Sequence, residues 1–273
     1  MDCGNFVSVD DQDFLAAPAI NIIFEHFKDD TVASLREFKK GAGDGLIVGI
    51  LTGEDLHDPL VMDKEFQWRR DAFMEAIEFV DFVWTLLPNT ADYSEFTDVE
   101  KVFWFELGYS ERLRTISRTE TFDTDVFLPG HLYPYRQRVV EALQASGVRV
   151  RVSNYQMPIH VYRSVAGRSK VILDVARDKG LRFLSSSRIL LGINNSIPVV
   201  SEKFDETPLN YFYNYAVTAE SDNLVEACIQ CLQNPSRVMR GEEATATFKT
   251  EHPMAEKTQQ LLNDCRFLDR VIR

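Results

Sequence analysis

The sequence is poor in positive charge. It has 30 Lys and Arg residues against 42 Asp and Glu, which gives a formal net charge of −12 over 273 residues. Binding to a polyphosphate backbone or to an anionic membrane surface requires clustered Lys and Arg. The charge therefore excludes a general nucleic-acid or anionic-membrane binder, but it leaves room for one small phosphate pocket.

Long apolar runs are also missing from the sequence. No stretch approaches the roughly 18 consecutive apolar residues of a membrane-spanning helix. The first residues, MDCGNFVSVDDQDF, are acidic and lack the basic start and apolar core of a signal peptide. We therefore expect a cytoplasmic protein with no integral membrane segment and no nucleic-acid partner.

Cysteine is scarce, and four cysteines in a chain of this length do not form a disulfide framework. Cys228 and Cys231 form a Cys-x2-Cys pair inside a helical pattern. The other candidate ligands nearby, His252 and Cys265, follow at no recognised zinc-finger spacing. Because free cysteine is common in protein cores, the pattern favours two core residues over a zinc site, and we expect no bound metal.

Three nucleotide-binding motifs are absent or out of place. A Gly-x-Gly-x-x-Gly fingerprint is missing, which argues against a dinucleotide-binding enzyme. GAGDG (41–45) follows a helical pattern and has no Lys-Ser/Thr, so we interpret it as a turn. The Asp-x-Asp of FDTDV (122–126) precedes a predicted strand, whereas a metal-binding Asp-x-Asp should follow one, so it is typical of the start of a strand.

What the sequence does contain is an alternation of short β-rich runs with segments of helical periodicity. The predicted strands are 19–27, 45–53, 81–87, 124–130, 148–153, 170–176, 197–202 and 214–219, and residues 102–109 form either a strand or a packed loop. The predicted helices are 29–40, 64–80, 135–147, 188–195, 222–234 and a helical C-terminus. Such alternation predicts an α/β fold with parallel sheets. It restarts near residues 118–124, which predicts two halves, 1–120 and 121–273, with a cleft between them.

The stretch 170–202 carries the clearest sign of chemistry. A strand is followed by a loop, a serine run, a helix and a second strand that ends in Val-Val-Ser-Glu. Serines at a helix N-terminus lie beside free backbone N–H groups and the positive end of the helix dipole, and this combination binds phosphate. Serine is also a frequent N-cap, so the local pattern leaves both capping and phosphate binding open.

This stretch resembles the C-terminal half of GT-B-fold glycosyltransferases, in particular bacterial glycosyltransferase-like proteins of surface and spore-coat polysaccharide assembly. The resemblance rests on Lys170, on the helix start at 185–188 and on the strand end at 198–202. Upstream, DVFLPGHLYPYRQRVVEALQASGVRVRV resembles the opening of the same half-domain at three positions, Gly130, Arg136 and Gly147. The likeness spans about residues 120–240 and implies two Rossmann-like halves, with the N-terminal half reduced.

The resemblance implies that residues 121–273 bind a nucleotide-sugar, which acts as co-substrate without a further cofactor. The implied donor-binding residues are Gly130, His131, Arg136, Ser186, Ser187, Arg188 and Glu202. The glycine would let the backbone approach the donor phosphates, and either arginine would offset their charge. Glu202, just past the carboxyl end of its strand, would hold ribose hydroxyls, and a solvated strand-end carboxylate is the alternative.

By the same resemblance, residues 1–120 form the acceptor side and supply the base that takes the proton of the acceptor hydroxyl. The candidates follow predicted strands: Glu25 and His26 follow the first, and Glu54 and Asp55 the second. His26 has a suitable pKa class, although a lone histidine is more often structural. Glu54 and Asp55 are the best pair, because the end of a buried parallel strand points towards the ligand edge of the sheet.

These features predict a metal-independent glycosyltransferase that moves a sugar from a nucleotide-sugar to a glycan or other hydroxyl acceptor in surface-glycan synthesis. Many retaining members of the fold carry two glutamates eight positions apart, and Phe183 and Leu191 stand there instead. The N-terminal half is also short for this fold. A catalytically silent nucleotide- or glycan-binding protein of the same fold is therefore the alternative. A nucleotide-sugar epimerase is a third hypothesis, and the missing Gly-x-Gly-x-x-Gly fingerprint argues against it.

Overall fold

The computed structural model describes residues 20–24, 29–41, 47–53, 55, 57, 67–88, 90–154, 156–178, 186–203 and 208–265. Its contacts divide the chain into two compact units. The first consists of Met1–Phe105 together with Thr258–Arg273, and the second of Glu106–Lys257. The chain therefore leaves the first unit once and returns to it near its end.

Short strands alternate with helices in both units. The strands are β1 (Ile20–Phe24), β2 (Ile47–Thr52), β3 (Phe82–Thr85), β4 (Val102–Trp104), β5 (Thr124–Leu128), β6 (Val150–Val152), β7 (Ser169–Asp174), β8 (Val199–Glu202) and β9 (Val217–Ala219). The α-helices are α1 (Asp29–Gly41), α2 (Gln67–Ile77), α3 (Pro134–Ala145), α4 (Ile159–Gly167), α5 (Ser186–Asn194), α6 (Leu224–Gln233), α7 (Arg237–Glu251) and α8 (Met254–Asp264).

The first unit contains a parallel sheet in the order β1-β2-β3-β4. One face packs on α1 and α2, where Leu35, Ile50 and Phe73 are buried in one apolar cluster. On the other face, Phe82 and Trp84 pack with Leu261 of α8 and with Cys265. Residues on both faces are apolar, which explains why β2 and β3 are continuous apolar runs in the sequence.

The second unit contains a five-stranded parallel sheet in the order β6-β5-β7-β8-β9. One face is covered by α3 and α6, whose Leu143 and Cys228 pack on the sheet. The opposite face is covered by α4 and α5, and α7 packs outside α5. The chain runs from β5 to β6 on one side and then to β7 on the other, so its direction across the sheet reverses between β5 and β7.

The structure confirms the predicted α/β architecture with parallel sheets. The two units defined by contacts do not match the predicted boundary at residue 120. They differ from it both near that boundary and near the C-terminus. Tyr109 pairs with Pro253, and the Ser110 N–H donates to the Asn194 side chain, so residues 106–120 belong to the second unit. Leu261 packs on the first sheet, so the last helical segment belongs to the first unit. Within the described residues, no helix combines the length and apolar character needed to span a membrane.

Candidate functional site

The reversal of strand order between β5 and β7 places two loops at the carboxyl edge of the second sheet. Gly130 lies in the loop after β5, and Val175 and Ala176 follow β7. Ligands of open α/β sheets bind at such a switch point, because the two adjacent loops diverge and leave a crevice. The residues predicted to bind a donor therefore fall at the position that the topology favours.

Gly130 has a backbone conformation that excludes other residues. Its φ is +108°, a value that side-chain-bearing residues rarely adopt. Its N–H donates to Ser153 Oγ at 2.7 Å, which fixes the loop to the end of β6. A Cβ built on Gly130 would lie 3.3 Å from Arg136 Nη1 and 3.5 Å from Arg188 Nη1. The two guanidiniums thus converge beside an uncovered stretch of backbone.

Arg136, in the first turn of α3, joins the two loops. Its Nε donates to Val175 O at 3.1 Å and to Ala176 O at 3.2 Å, and its Nη1 donates to His131 O at 2.9 Å. The side chain is 5% exposed. Within the described part of the chain, carbonyl oxygens accept these bonds and no carboxylate forms a direct ion pair with Arg136, so dipoles hold its charge.

Arg188, the third residue of α5, is held by a buried carboxylate. Its Nε donates to Asp174 Oδ1 at 2.6 Å, and its Nη2 donates to Val175 O at 3.3 Å. Asp174 is fully buried at the end of β7, and Ser201 Oγ donates to its other oxygen at 3.1 Å. This arrangement holds one edge of the guanidinium in place, and Nη1 lies on the side of Gly130.

The electrostatics of this cluster favour an anion. Burial, followed by the charge of Arg188, lowers the pKa of Arg136 to about 10, and Asp174 opposes the shift. Among the described residues, the two guanidiniums at Gly130 share one carboxylate, Asp174, so these three groups together carry one net positive charge. Two oxygens of a tetrahedral phosphate group can accept two parallel N–H bonds from the planar guanidinium of an arginine.

Glu202 lies at the same sheet edge but is already engaged. The Tyr135 hydroxyl donates to its Oε1 at 2.7 Å, and the Ala176 N–H donates to its Oε2 at 2.9 Å. The carboxylate is 2% exposed, and burial, followed by Glu202, raises the pKa of Tyr135. The predicted role in holding ribose hydroxyls would therefore require Tyr135 to turn away from it.

The remaining predicted donor-binding residues lie around the cluster. Ser186 and Ser187 are the first two residues of α5, so the helix begins at the serine run as the sequence predicts. Ser186 is buried and Ser187 is exposed. His131 contributes its backbone oxygen to Arg136, and its exposed ring contacts Tyr133 at a centroid distance of 4.9 Å.

The predicted bases Glu25, His26, Glu54 and Asp55 all belong to the first unit. Glu25, His26 and Glu54 lie outside the described residues. Asp55, after β2, accepts a hydrogen bond from the His57 N–H at 3.0 Å, a local turn contact. The four described strands of the first unit run in sequential order, so they contain no reversal of the kind that creates a crevice in the second sheet.

Two groups that the sequence analysis assigned to structural roles have those roles. Asp125 of the Asp-x-Asp motif lies at the start of β5 and pairs with Arg149 at 3.0 Å and Lys170 at 2.7 Å. Cys228 and Cys231 are buried in the core, and burial raises the pKa of Cys228 to about 12. In the part of the chain that the structure describes, no group of three or more metal-ligating side chains of His, Cys, Asp and Glu is placed to hold a metal ion.

Asp174, Ser153 and Tyr135 were not predicted as site residues. Asp174 carried a usable signal, because it lies near the end of a predicted strand, on the same edge as Glu202. Ser153 and Tyr135 carried none, since their roles depend on contacts with Gly130 and Glu202 that lie 23 and 67 positions away.

Comparison with known proteins gives a likeness of fold. No protein-family model and no curated protein matches the chain. An α-glucosyltransferase solved with UDP and a 13-mer DNA has a TM-score of 0.60 at 10% identity, over 90% of this chain and 80% of that one. A UDP-forming α,α-trehalose-phosphate synthase from Burkholderia xenovorans has a TM-score of 0.53 at 11% identity, over 90% and 73%. A trehalose-6-phosphate synthase has a TM-score of 0.54 at 9% identity, over 92% and 73%.

The comparison defines the class of fold. The three structures described above are glycosyltransferases of the GT-B fold, and the predicted GT-B type of α/β fold is confirmed. At identities of 9–11% the likeness concerns the fold alone. The ligand and the activity of the chain therefore have to be inferred from its own residues.

Proposed function

We propose that the second unit binds the diphosphate of a nucleotide-sugar at Gly130, between Arg136 and Arg188. The observation that carries the proposal is the convergence of two guanidinium Nη1 atoms on a positive-φ glycine at the switch point of the sheet. The adjacent first turn of α5 supports it, because free N–H groups at a helix start favour negative charge. The shared fold with a glycosyltransferase that was solved with UDP adds support.

In the proposed reaction, the acceptor hydroxyl attacks the anomeric carbon of the sugar and a base takes the hydroxyl proton. The bond between the anomeric carbon and the phosphate oxygen breaks, and the nucleoside diphosphate leaves with the bonding electrons. Arg136 and Arg188 stabilise the charge that develops on the departing phosphate, which is the role otherwise given to a metal ion. Glu54, Asp55, Glu25 and His26 remain the candidates for the base.

We further propose that the acceptor is a glycan or another hydroxyl compound and that the chain acts in the cytoplasm in surface-glycan assembly. The support is the resemblance of residues 120–240 to surface and spore-coat glycosyltransferase-like proteins. A transferase of this kind uses the nucleotide-sugar as co-substrate and needs no further cofactor.

A catalytically silent nucleotide-sugar binder is the second candidate function. Two observations favour it. The one described candidate base, Asp55, is engaged in its own turn, and the described strands of the first unit form no switch point. Donor binding is common to both candidates, and turnover separates them.

Donor binding is tested by titrating the full chain with UDP-, GDP- and CMP-sugars in a calorimeter. We expect one class of nucleotide to bind, and Gly130→Ala to weaken it about tenfold or more, because the added Cβ stands between the guanidiniums. Arg163→Ala removes an exposed arginine from α4 and is the matched control that leaves the affinity unchanged. Absence of binding for all three classes at millimolar concentration would refute the proposal.

Enzyme and silent binder are distinguished by following the bound donor over hours. An enzyme releases free sugar and nucleoside diphosphate slowly even without its acceptor, because water can replace the hydroxyl. Hydrolysis that Arg188→Lys slows while the donor still binds would support the transferase. A donor that stays intact under saturating binding would favour the silent binder.

A further inference from the structure

The strand β8 ends in Ser201 and Glu202, and the proposed function gives neither residue a role. Successive side chains of a strand point to opposite faces of its sheet. Val200 packs in the apolar cluster of α3 and α6, and Val199 packs in the cluster of α5. Glu202 therefore lies on the face of α3, and Ser201 lies on the face of α5. The end of this one strand presents a polar side chain to each helix that carries an arginine of the donor site.

On the face of α5, Ser201 supports Arg188 through one intermediate carboxylate. Ser201 Oγ donates to Asp174 Oδ2 at 3.1 Å, and Asp174 Oδ1 accepts from Arg188 Nε at 2.6 Å. Ser201 and Asp174 have no exposed surface. The serine therefore helps to fix the orientation of a guanidinium that it does not touch.

On the face of α3, Glu202 supports Arg136 through one intermediate residue. The Ala176 N–H donates to Glu202 Oε2 at 2.9 Å, and Ala176 O accepts from Arg136 Nε at 3.2 Å. The neighbouring Val175 O accepts from Arg136 Nε at 3.1 Å and from Arg188 Nη2 at 3.3 Å. Residues 175–176 are thus the support on which both guanidiniums rest, and Glu202 holds this support in place.

The burial of Glu202 argues against a direct contact with a ligand. Its carboxylate is 2% exposed, and Tyr135, which donates to its Oε1 at 2.7 Å, is 6% exposed. A ribose hydroxyl would have to displace the Tyr135 hydroxyl, so that one hydrogen bond is broken for each one formed. The negative charge of Glu202 also opposes a phosphate at the same edge of the sheet. The contacts with Ala176 account for a carboxylate at this position better than a contact with the ligand does.

We propose that Glu202 is a positioning residue of the diphosphate site and not a ligand of the ribose. It holds Ala176, and through Ala176 it keeps the guanidinium of Arg136 directed towards Gly130. The inference rests on the proposed function, because it concerns the same site. It also makes a statement about specificity: Glu202 contributes equally to the binding of nucleotides with and without ribose hydroxyl groups.

The test titrates UDP and GDP, each beside its 2′,3′-dideoxy analogue, into the full chain in a calorimeter. We expect Glu202→Ala to weaken the hydroxylated and the dideoxy form by the same factor, about tenfold, although the loss of a negative charge would by itself tighten an anion. Glu202→Gln should restore most of the affinity, because its amide oxygen can accept the Ala176 N–H. Glu141→Ala removes an exposed carboxylate from α3 that accepts from the Gln137 side chain, and this control should leave both affinities unchanged.

Tyr135→Phe is a second variant, which keeps the aromatic ring and removes the hydroxyl that orients Glu202. For a positioning residue, we expect both nucleotide forms to bind about threefold more weakly, because the carboxylate loses one of its two described hydrogen bonds. A carboxylate that bound the ribose would lose a competitor instead, and the hydroxylated form alone would bind more tightly. The two roles thus predict changes of opposite sign.

Failure of every nucleotide and nucleotide-sugar to bind the wild type would refute the proposed function itself. Where the wild type binds a nucleoside diphosphate, the positioning role is overturned by any of three results: the dideoxy analogue does not bind, Glu202→Ala leaves the affinity of that analogue unchanged, or Tyr135→Phe tightens the hydroxylated form. If Glu202→Ala does not fold, the direction of the change in Tyr135→Phe decides.

Discussion

At the scale of single residues, the proposed donor site depends on the small number of described carboxylates beside its two arginines. Arg188 is neutralised by Asp174, a carboxylate with no exposed surface, whereas Arg136 rests on backbone carbonyls. A buried ion pair contributes little net stability while intact, but removal of one member leaves a buried charge unpaired. The Asp174–Arg188 pair is therefore a sensitive point for both folding and binding.

Asp174→Asn should lower the free energy of unfolding by about 3 kcal/mol, because Arg188 is then left without its counter-ion beside the positive Arg136. Urea denaturation at neutral pH measures the change. Asp123→Asn is the matched control: it breaks the exposed Asp123–Arg168 pair at 2.7 Å and should cost no more than about 1 kcal/mol. Equal losses in the free energy of unfolding in the two variants would show that the buried pair is no more important for stability than the exposed pair.

The residues of the site could be predicted from the sequence only in part. Gly130 and Glu202 end predicted strands, Arg136 and Arg188 lie in the first turn of predicted helices, and sheet topology alone brings such positions to one edge. Their partners could not be predicted, because contacts such as Tyr135 to Glu202 and Ser153 to Gly130 depend on the three-dimensional register of several elements.

At the scale of elements, the sequence predicts best where apolar periodicity is strong. The strands β2, β3, β5 and β8 lie within the predicted segments, and β7 begins one residue before its predicted segment. Helix α4 was not predicted, and its composition explains why. Ile159 is 61% exposed and Val161 is 37% exposed, while the buried face consists of the small or β-branched Val165, Ala166 and Gly167. Apolar residues therefore lie on the exposed as well as the buried side of α4, so the apolar pattern does not identify the side that packs on the sheet.

Close packing of α5 on β8 gives a test at this scale. A Cβ on Gly192 would lie 2.1 Å from Val199 Cγ2 and 2.9 Å from Ile197 O. Gly192→Ala should therefore destabilise the chain by about 2 kcal/mol through overpacking, although alanine is the better helix former by about 1 kcal/mol.

Val199→Ala supplies the control for this prediction, because it removes the methyl group that the new Cβ would meet. Thermal or urea unfolding of the double variant should show a smaller loss than the sum of the two single losses. Strict additivity would mean that the Val199 side chain is not what excludes alanine at position 192.

At the scale of the whole molecule, the path of the chain is the feature that the sequence predicted least. Two α/β units with parallel sheets follow from the alternation of strands and helices. The return of residues 258–273 to the first unit does not, because a helix near the C-terminus has the same periodicity whichever sheet it covers. Only the contacts of Leu261 and Cys265 with Phe82 and Trp84 reveal it.

Leu261→Ala should cost about 3 kcal/mol, because the leucine is 7% exposed in the apolar cluster of the first sheet. The loss should be local. Amide hydrogen exchange is expected to rise in β2 and β3 and to stay unchanged in β5 and β7. Leu113→Ala, at a leucine that is 44% exposed, serves as the control, and a uniform rise across both sheets would contradict the assignment of α8 to the first unit.

The first and last residues of the second unit, Glu106 and Lys257, form an ion pair, and His252 Nδ1 lies 3.1 Å from the same carboxylate. In topological terms the second unit is an insertion, because the chain enters and leaves it at one point. All the residues of such an insert emerge from the ribosome before the last segment of its host. The second unit can therefore complete its core before α8 is available, whereas the first unit, although it is made first, acquires Leu261 and Cys265 only after the whole second unit has been synthesised.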